Sequence, residues 1–207
     1  MNVPTLDAQP SGRLIDTYRV FPFNQTKFID GVLFTGKVAL GTSRDGICLA
    51  FSWQWLKLLY EKQDKYPSAS TRIGAISSFR KLSKTVERHE YANTHLGTNI
   101  YTSYGFTTKN VKSYLLQMIP LHWWLEKTFQ GACLVFTCPA YQDGNHAIGV
   151  FRIKKKGLFG KDRYVVFDAN EGEFEVPKAM MGDFLAALLA EYGATMSEHL
   201  VELNFLV

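Results

Sequence analysis

Arg44-Asp45-Gly46-Ile47-Cys48-Leu49-Ala50-Phe51-Ser52-Trp53-Gln54-Trp55-Leu56 is the stretch on which the organisation of this chain turns. A short polar turn runs, at a single cysteine, into a segment that predicts a helix from about Ile47 to Lys62, apolar on most of its circumference. Gln54, Lys57 and Glu61 form its narrow polar stripe, so the helix is expected to be packed on several sides. Taken alone, Cys48 is a buried core thiol, because free cysteine usually behaves as a small hydrophobe. Its position at a helix start points to chemistry instead. Unpaired backbone N–H groups and the positive end of the helix macrodipole favour thiolate over thiol, and the same N–H groups can receive an oxyanion.

Two stretches further along supply partners. Gly144-Asn145-His146-Ala147-Ile148-Gly149-Val150 predicts a strand entered from the turn Asp143-Gly144-Asn145, with the His146 imidazole at the sheet's edge. Val166-Phe167-Asp168-Ala169-Asn170-Glu171-Gly172 predicts the next strand ending at Asp168, followed by an Asx-type turn. The basic, glycine-containing connection Lys154–Asp162 suits a hairpin, which brings Asp168 beside the start of the His146 strand. A thiolate nucleophile needs a base within hydrogen-bond reach, and that base needs a third group to hold its tautomer. Read separately, Cys48, His146 and Asp168 are a core thiol, a turn histidine and a strand-terminal aspartate. Read together, they supply nucleophile, base and orienting group in suitable local settings.

Working outward to the rest of the chain, residues 1–18 carry Pro4, Pro10, Ser11 and Gly12 with little periodicity and predict a flexible N-terminal arm before a single domain at 19–207. Arg19 to Leu40 predicts one or two short strands. Pro67-Ser68-Ala69-Ser70 predicts a capped second helix running to about His89, and Tyr91 to Tyr104 a surface loop near a substrate. Thr107-Thr108 predicts the cap of a helix through Val111, Tyr114, Leu115 and Met118, stopped by Pro120, with another short helix at 121–130. Strands are expected at Ala132–Cys138, Ala147–Ile153, Tyr164–Asp168 and in the last residues, and Pro177 opens a helix ending near Gly193. Helices first and sheet afterwards is an α+β order.

Composition bounds the function. Over 207 residues, 46% apolar, 20% charged and 14% aromatic residues describe a globular domain with a well-filled interior. A net charge of +4 is mild. Arg80, Lys81, Lys84 and Arg88 fall at helical spacing as a solvated face, and Lys154, Lys155, Lys156, Lys161 and Arg163 mark the hairpin tip. No nucleic-acid motif with interleaved aromatics accompanies them, so nucleic acid is not an expected partner. An odd count of three cysteines argues against a disulfide framework and for a reducing compartment; Cys133 and Cys138 should lie on opposite faces of their strand. No metal-ligand spacing and no cofactor motif is found. His89, His95, His122 and His199 are expected to be structural or surface residues, and Ser52 to bond back to its own helix. Trp53 and Trp55 are expected in the core, and one of Trp123 and Trp124 beside a cleft. No basic segment leads into an apolar run, and no stretch approaches the roughly 18 apolar residues that span a bilayer, so neither a cleavable signal nor integral membrane association is expected.

Gly46-Ile47-Cys48 leading into a Ser- and Trp-containing helix, His146-Ala147 in a strand, and Phe167-Asp168-Ala169-Asn170-Glu171-Gly172-Glu173-Phe174 together resemble the three motif blocks of the YopT-type bacterial effector cysteine proteases, a papain-like group. The last block is the most specific of the three. The resemblance implies a papain-like fold, with an N-terminal helical half whose central nucleophile helix packs on a C-terminal antiparallel sheet. It also implies Cys48 as nucleophile, His146 as general base and acid, and Asp168 as the group orienting the imidazole. Such enzymes usually carry an amide side chain a few residues before the cysteine, whereas this chain has Thr42-Ser43-Arg44-Asp45. Ser43 and Arg44 are therefore the candidates to join the Cys48 N–H in an oxyanion hole.

The expected activity is that of a cysteine endopeptidase acting as a secreted toxin or effector in the cytoplasm of a target cell. Its expected partners are a protein substrate and an immunity or inhibitor protein covering the cleft. The alternatives are a glutamine deamidase or transglutaminase-like enzyme using the same three residues, or an inactive papain-like binding module. A peptidoglycan amidase is disfavoured, because the Asp-Cys-Ser/Thr pattern of such enzymes is absent.

Overall fold

Strands β3 (Gly131–Cys138), β4 (Gly144–Ile153) and β5 (Arg163–Asp168) are buried at almost every position instead of alternating. That pattern belongs to strands covered on both faces. Among the described residues they form the middle of a seven-stranded antiparallel sheet completed by β1 (Arg19–Pro22), β2 (Thr108–Leu115), β6 (Gly172–Pro177) and β7 (Leu200–Leu206), in the order β1-β6-β5-β4-β3-β7-β2. The computed structural model describes residues 12–28, 47–78, 130–141, 144–153 and 163–195, with the backbone alone for 108–115, 141 and 200–206.

Helix α1 (Cys48–Lys62) covers one face, where Phe51, Trp55, Leu56 and Leu59 pack with Cys133, Ala147, Phe151, Val165 and Phe167. The short α2 (Ala69–Ile76) adds Ile73 and Ile76 to the same core. On the opposite face α3 (Met181–Ala190) sets Phe184, Leu185, Leu188 and Leu189 against Leu134, Phe136, Ile148, Val150, Val166 and Phe174. Full burial of each such side chain contributes about 1.5–3 kcal/mol. The mixed helix and antiparallel sheet is the expected α+β class, and Cys133 and Cys138 do lie in different cores.

Three local expectations are corrected by the structure. The segment read as a helix from Thr107 is strand β2 over Thr108–Leu115, because its ladder with β7, from Thr108 opposite Leu206 to Leu115 opposite Leu200, offers the backbone partners that helical spacing alone did not. Ser68 caps α2 in a capping box with Thr71, but the helix stops at Ile76 rather than near His89, where the Ser77 hydroxyl donates to the Ile73 carbonyl at 2.7 Å. Glu173 and Glu175 alternate with Phe174 and Val176 in the unanticipated β6, so Pro177 closes a strand, and one 3-10 turn precedes α3. Within the expected N-terminal arm, Leu14–Tyr18 form a 3-10 helix whose Ile15 is fully buried in the α3-side core. Arg13 pairs there with Asp16, Glu171 and Glu191. The basic cluster Arg80–Arg88, the loop 91–104, the helix expected at 121–130 apart from Gln130, and the hairpin tip 154–162 lie outside the described residues.

A buried ionic staple ties α1, α2 and β6 together. The Arg72 guanidinium meets both carboxylate oxygens of Glu173, and the Trp55 indole N–H donates to Glu173 Oε2 at 2.7 Å. Arg72 is 3% and Glu173 0% exposed, so removing one partner strands a charge away from water. Arg72→Met should lower the unfolding free energy from urea titration by about 3–5 kcal/mol, and adding Glu173→Gln should recover part of that loss. A single variant within about 1 kcal/mol of wild type contradicts this account of the staple.

Candidate active site

Helix α1 begins at Cys48 with Ile47 in the N-cap position at φ −79° and ψ 5°. Among the described residues no side chain caps this end, and no acidic residue occupies the first turn. Two contacts set this helix against β4. The Ser52 hydroxyl donates to the Ala147 carbonyl at 3.1 Å, across to the sheet and not back to its own helix as its sequence position predicts. At Gly149 a Cβ would lie 2.8 Å from Trp55 Cε3, so only glycine admits the indole at this spacing. Cys48, Ser52 and Trp55 thus descend one side of α1 while Ala147 and Gly149 follow His146 on β4.

His146 pairs across the ladder with Phe136, and Asp168 with Ile148. Residues two apart on a strand share a face, so His146 and Asp168 are diagonal neighbours on the α3 side. His146 Nε2 lies 3.1 Å from Asp168 Oδ2. Cys48 also lies near enough to the imidazole to raise its proton affinity, alongside Asp168. The three side chains therefore meet around the end of the sheet, with the cysteine arriving from the α1 side. His146 is 4% and Asp168 0% exposed.

Burial disfavours charge on both partners, and their mutual attraction reverses that preference. His146 is pushed up to about 10: desolvation lowers it, but the Asp168 carboxylate and the hydrogen bonds to Asp168 and Cys48 outweigh it. Asp168 is held below the ordinary carboxylate range despite complete burial, by His146, by the Asn170 N–H at 2.7 Å and by the Tyr192 hydroxyl at 2.8 Å from each oxygen. The Glu171 N–H adds a contact at 3.2 Å. Burial, with Cys48 and Asp168 nearby, pushes the Cys138 thiol up to about 12. The Tyr192 ring stacks on the imidazole at 4.3 Å and 23°, and Phe136 meets it edge-on at 5.7 Å.

The turn after Asp168 is itself held. Gly172 has φ 120°, and a Cβ there would fall 2.1 Å from the Phe21 carbonyl oxygen, which accounts for glycine at this place in the block. Gln25 N–H donates to the Ala169 carbonyl at 2.6 Å and its side chain to Asn170 Oδ1 at 2.9 Å, while Arg13 and Arg19 clamp Glu171.

Cys48, His146 and Asp168 are thus brought together. Ser43 and Arg44 lie outside the described residues, as do His89, His95, His122, His199, Trp123 and Trp124. Trp53 and Trp55 are core residues, and Gln54 of the expected polar stripe is buried too. Tyr192 was missed, its only sequence signal being an aromatic beside Gly193 at a helix end. Among the described residues no group of three His, Cys, Asp or Glu side chains could hold a metal ion.

The charge pair makes stability depend on pH with a definite sign. Because His146 is raised from 6.5, its contribution is complete below 6.5 and fades as pH climbs to about 10; because Asp168 is lowered from 3.8, its contribution is complete above 3.8 and fades below it. The stability advantage of wild type over Asp168→Asn in urea should be largest between pH 3.8 and 6.5 and shrink steadily toward pH 10. An advantage that stays flat across that range contradicts the charged pair.

No protein-family model matches the sequence, and comparison with curated proteins finds no match. Solved structures do match in shape. The Pseudomonas avirulence protein AvrPphB, a YopT-type effector cysteine protease, aligns with a TM-score of 0.55 at 16% identity, covering 78% of this chain and 92% of its own. PatoxP, a cysteine protease-like domain of the Photorhabdus asymbiotica toxin PaTox, aligns with a TM-score of 0.55 at 15% identity, covering 92% of this chain and 54% of its own. The architecture built here from a cysteine-headed helix and an antiparallel sheet is the papain-like cysteine protease fold, with bacterial effector and toxin domains as structural neighbours.

Proposed function

We propose that this chain is a papain-like cysteine endopeptidase that works as a bacterial toxin or effector on a protein of a recipient cell. The observation that carries the reading is the position of His146, held by Asp168 through Nε2 at 3.1 Å and raised in proton affinity by Asp168 and by the nearby Cys48 at the start of α1. An imidazolium beside a cysteine sulfur at a helix N-terminus favours the thiolate. The Cys48 thiolate attacks the substrate carbonyl, and the oxyanion is received by the Cys48 N–H with a second donor from Ser43 or Arg44. His146 then gives its proton to the leaving amine, which departs and leaves an acyl-enzyme. The neutral imidazole next takes a proton from water, whose oxygen attacks the thioester and releases the acid product. Asp168 keeps the ring oriented through both proton transfers.

The two structural neighbours, an avirulence protein and a toxin domain, support delivery into another cell and action in its cytoplasm. Among the described residues no helix is long and apolar enough to cross a membrane. An immunity or inhibitor protein seated over the cleft is the regulatory partner this setting calls for.

Cys48→Ala should lower turnover by at least about a thousandfold while leaving the circular dichroism spectrum unchanged. Wild type and variant are compared by adding each to a recipient-cell lysate and sequencing new protein N-termini by mass spectrometry. New termini with wild type alone support the endopeptidase. Glutamine side chains converted to glutamate, or cross-linked, without cleavage would move the same three residues to a deamidase or transferase. Equal cleavage by both proteins would remove Cys48 from the chemistry.

A further inference from the structure

We infer that Tyr192 is a positioning residue for this site: its ring fixes the plane of the His146 imidazole, and its hydroxyl fixes the rotation of the Asp168 carboxylate. The inference rests on the proposed function and deepens it, because these three residues come from separate elements and, among the described residues, Tyr192 touches both members of the pair from the α3 side.

The chain delivers Tyr192 there by a defined stop signal. At the end of α3 the Ala194 N–H bonds the Leu189 carbonyl at 3.1 Å and the Gly193 N–H bonds the Ala190 carbonyl at 3.0 Å, with Gly193 at φ 70°. These are the paired bonds of a Schellman motif, which place Tyr192 two residues beyond the end of α3, immediately before the left-handed Gly193. The Tyr192 carbonyl then accepts from the Ala140 N–H at 3.2 Å, in the turn between β3 and β4. The side chain is consequently held by its own backbone on two sides before it meets the site, and the residue is 2% exposed.

Its contacts exceed what filling a core requires. Stacking at 4.3 Å and 23°, opposed by the edge of Phe136, leaves the imidazole little room to swing. The hydroxyl sits 2.8 Å from both Asp168 oxygens, so it bridges the carboxylate, while Oδ1 also takes the Asn170 and Glu171 N–H groups and Oδ2 takes His146. A rotation of the carboxylate breaks contacts on both oxygens at once. During acylation and deacylation His146 changes charge, and a ring that tilted with each change would lose either Cys48 or the substrate. A phenylalanine would occupy the same volume without the bridging donor, which makes the hydroxyl separable from packing.

The test follows iodoacetamide alkylation of Cys48 in the full chain against pH, read by peptide mass so that Cys133 and Cys138 are scored apart. Among the described residues, the titratable groups facing this corner are Asp168 from β5, His146 from β4, Cys48 from α1, Cys138 from β3 and Glu171 from the following turn. Tyr192→Phe should lower the melting temperature only modestly while moving the acid limb of the rate profile up by about one pH unit, because Asp168 loses a donor that keeps it charged. Tyr192→Leu should in addition lower the plateau rate, through loss of the stack. A Tyr192→Phe limb coincident with wild type overturns the inference, and so does a lowered melting temperature with an unmoved limb, which would mark Tyr192 as core filling. If wild-type Cys48 is alkylated no faster than in urea-unfolded protein, the nucleophile assignment fails first and takes this one with it.

Discussion

Placing a carboxylate and an imidazole together at the end of a sheet, out of water, is unfavourable unless each finds a charged or hydrogen-bonding partner. The Asp168–His146 pair meets that condition with the other group, two backbone N–H donors and a phenol, and the local architecture is arranged around supplying them. The Asx turn exists to aim the Asn170 and Glu171 N–H groups at Oδ1. The α3 stop exists to bring in Tyr192. The N-terminal 3-10 helix braces both, since Arg13 reaches Glu171 in the turn and Glu191 beside Tyr192. A functional group that looks like a two-residue contact is therefore supported by the beginning, middle and end of the described chain.

The second constraint is rotational. A helix lying on a sheet can turn about its axis, and a rotation by one residue would carry Cys48 away from His146. Here the Trp55–Glu173–Arg72 staple holds the middle of α1, Ser52 ties its first turns to Ala147, and Gly149 lets the helix settle close to β4. Each tie lies on the side of α1 that faces the sheet, so the position of Cys48 follows from burial elsewhere along the same helix. Trp55 adds a stacked contact with Phe167 at 5.6 Å, one residue before Asp168, which couples the helix to the strand that bears the carboxylate.

Much of this was legible in the sequence, for identifiable reasons. Cys48 at a helix start, His146 after a turn and Asp168 at a strand end each depend on signals within a few residues, and the apolar runs of β3, β4 and β5 are long enough to announce themselves. The resemblance in the three motif blocks carried the fold. What was not legible depends on partners far away in sequence. Residues 108–115 have a helix-like spacing that is overridden by the β7 ladder, and β6 hides behind two glutamates, one of which is buried because Arg72 and Trp55 reach it. Tyr192 has no local pattern to distinguish it from any aromatic near a helix end, and Ser52 none to say which carbonyl it would choose. Ile15 sits in a segment whose prolines and glycine argued for a loose arm, and its burial is decided by α3.

The claim on which the account stands is that His146 is a charged imidazolium, held between Asp168 and Cys48. Nitrogen-15 NMR of the histidine side chains in the full chain at pH 7.5 tests it without a substrate. The account predicts that both ring nitrogens of His146 carry protons at this pH, with the signal reverting toward neutral imidazole in Asp168→Asn. A neutral His146 ring in the wild-type protein would contradict it.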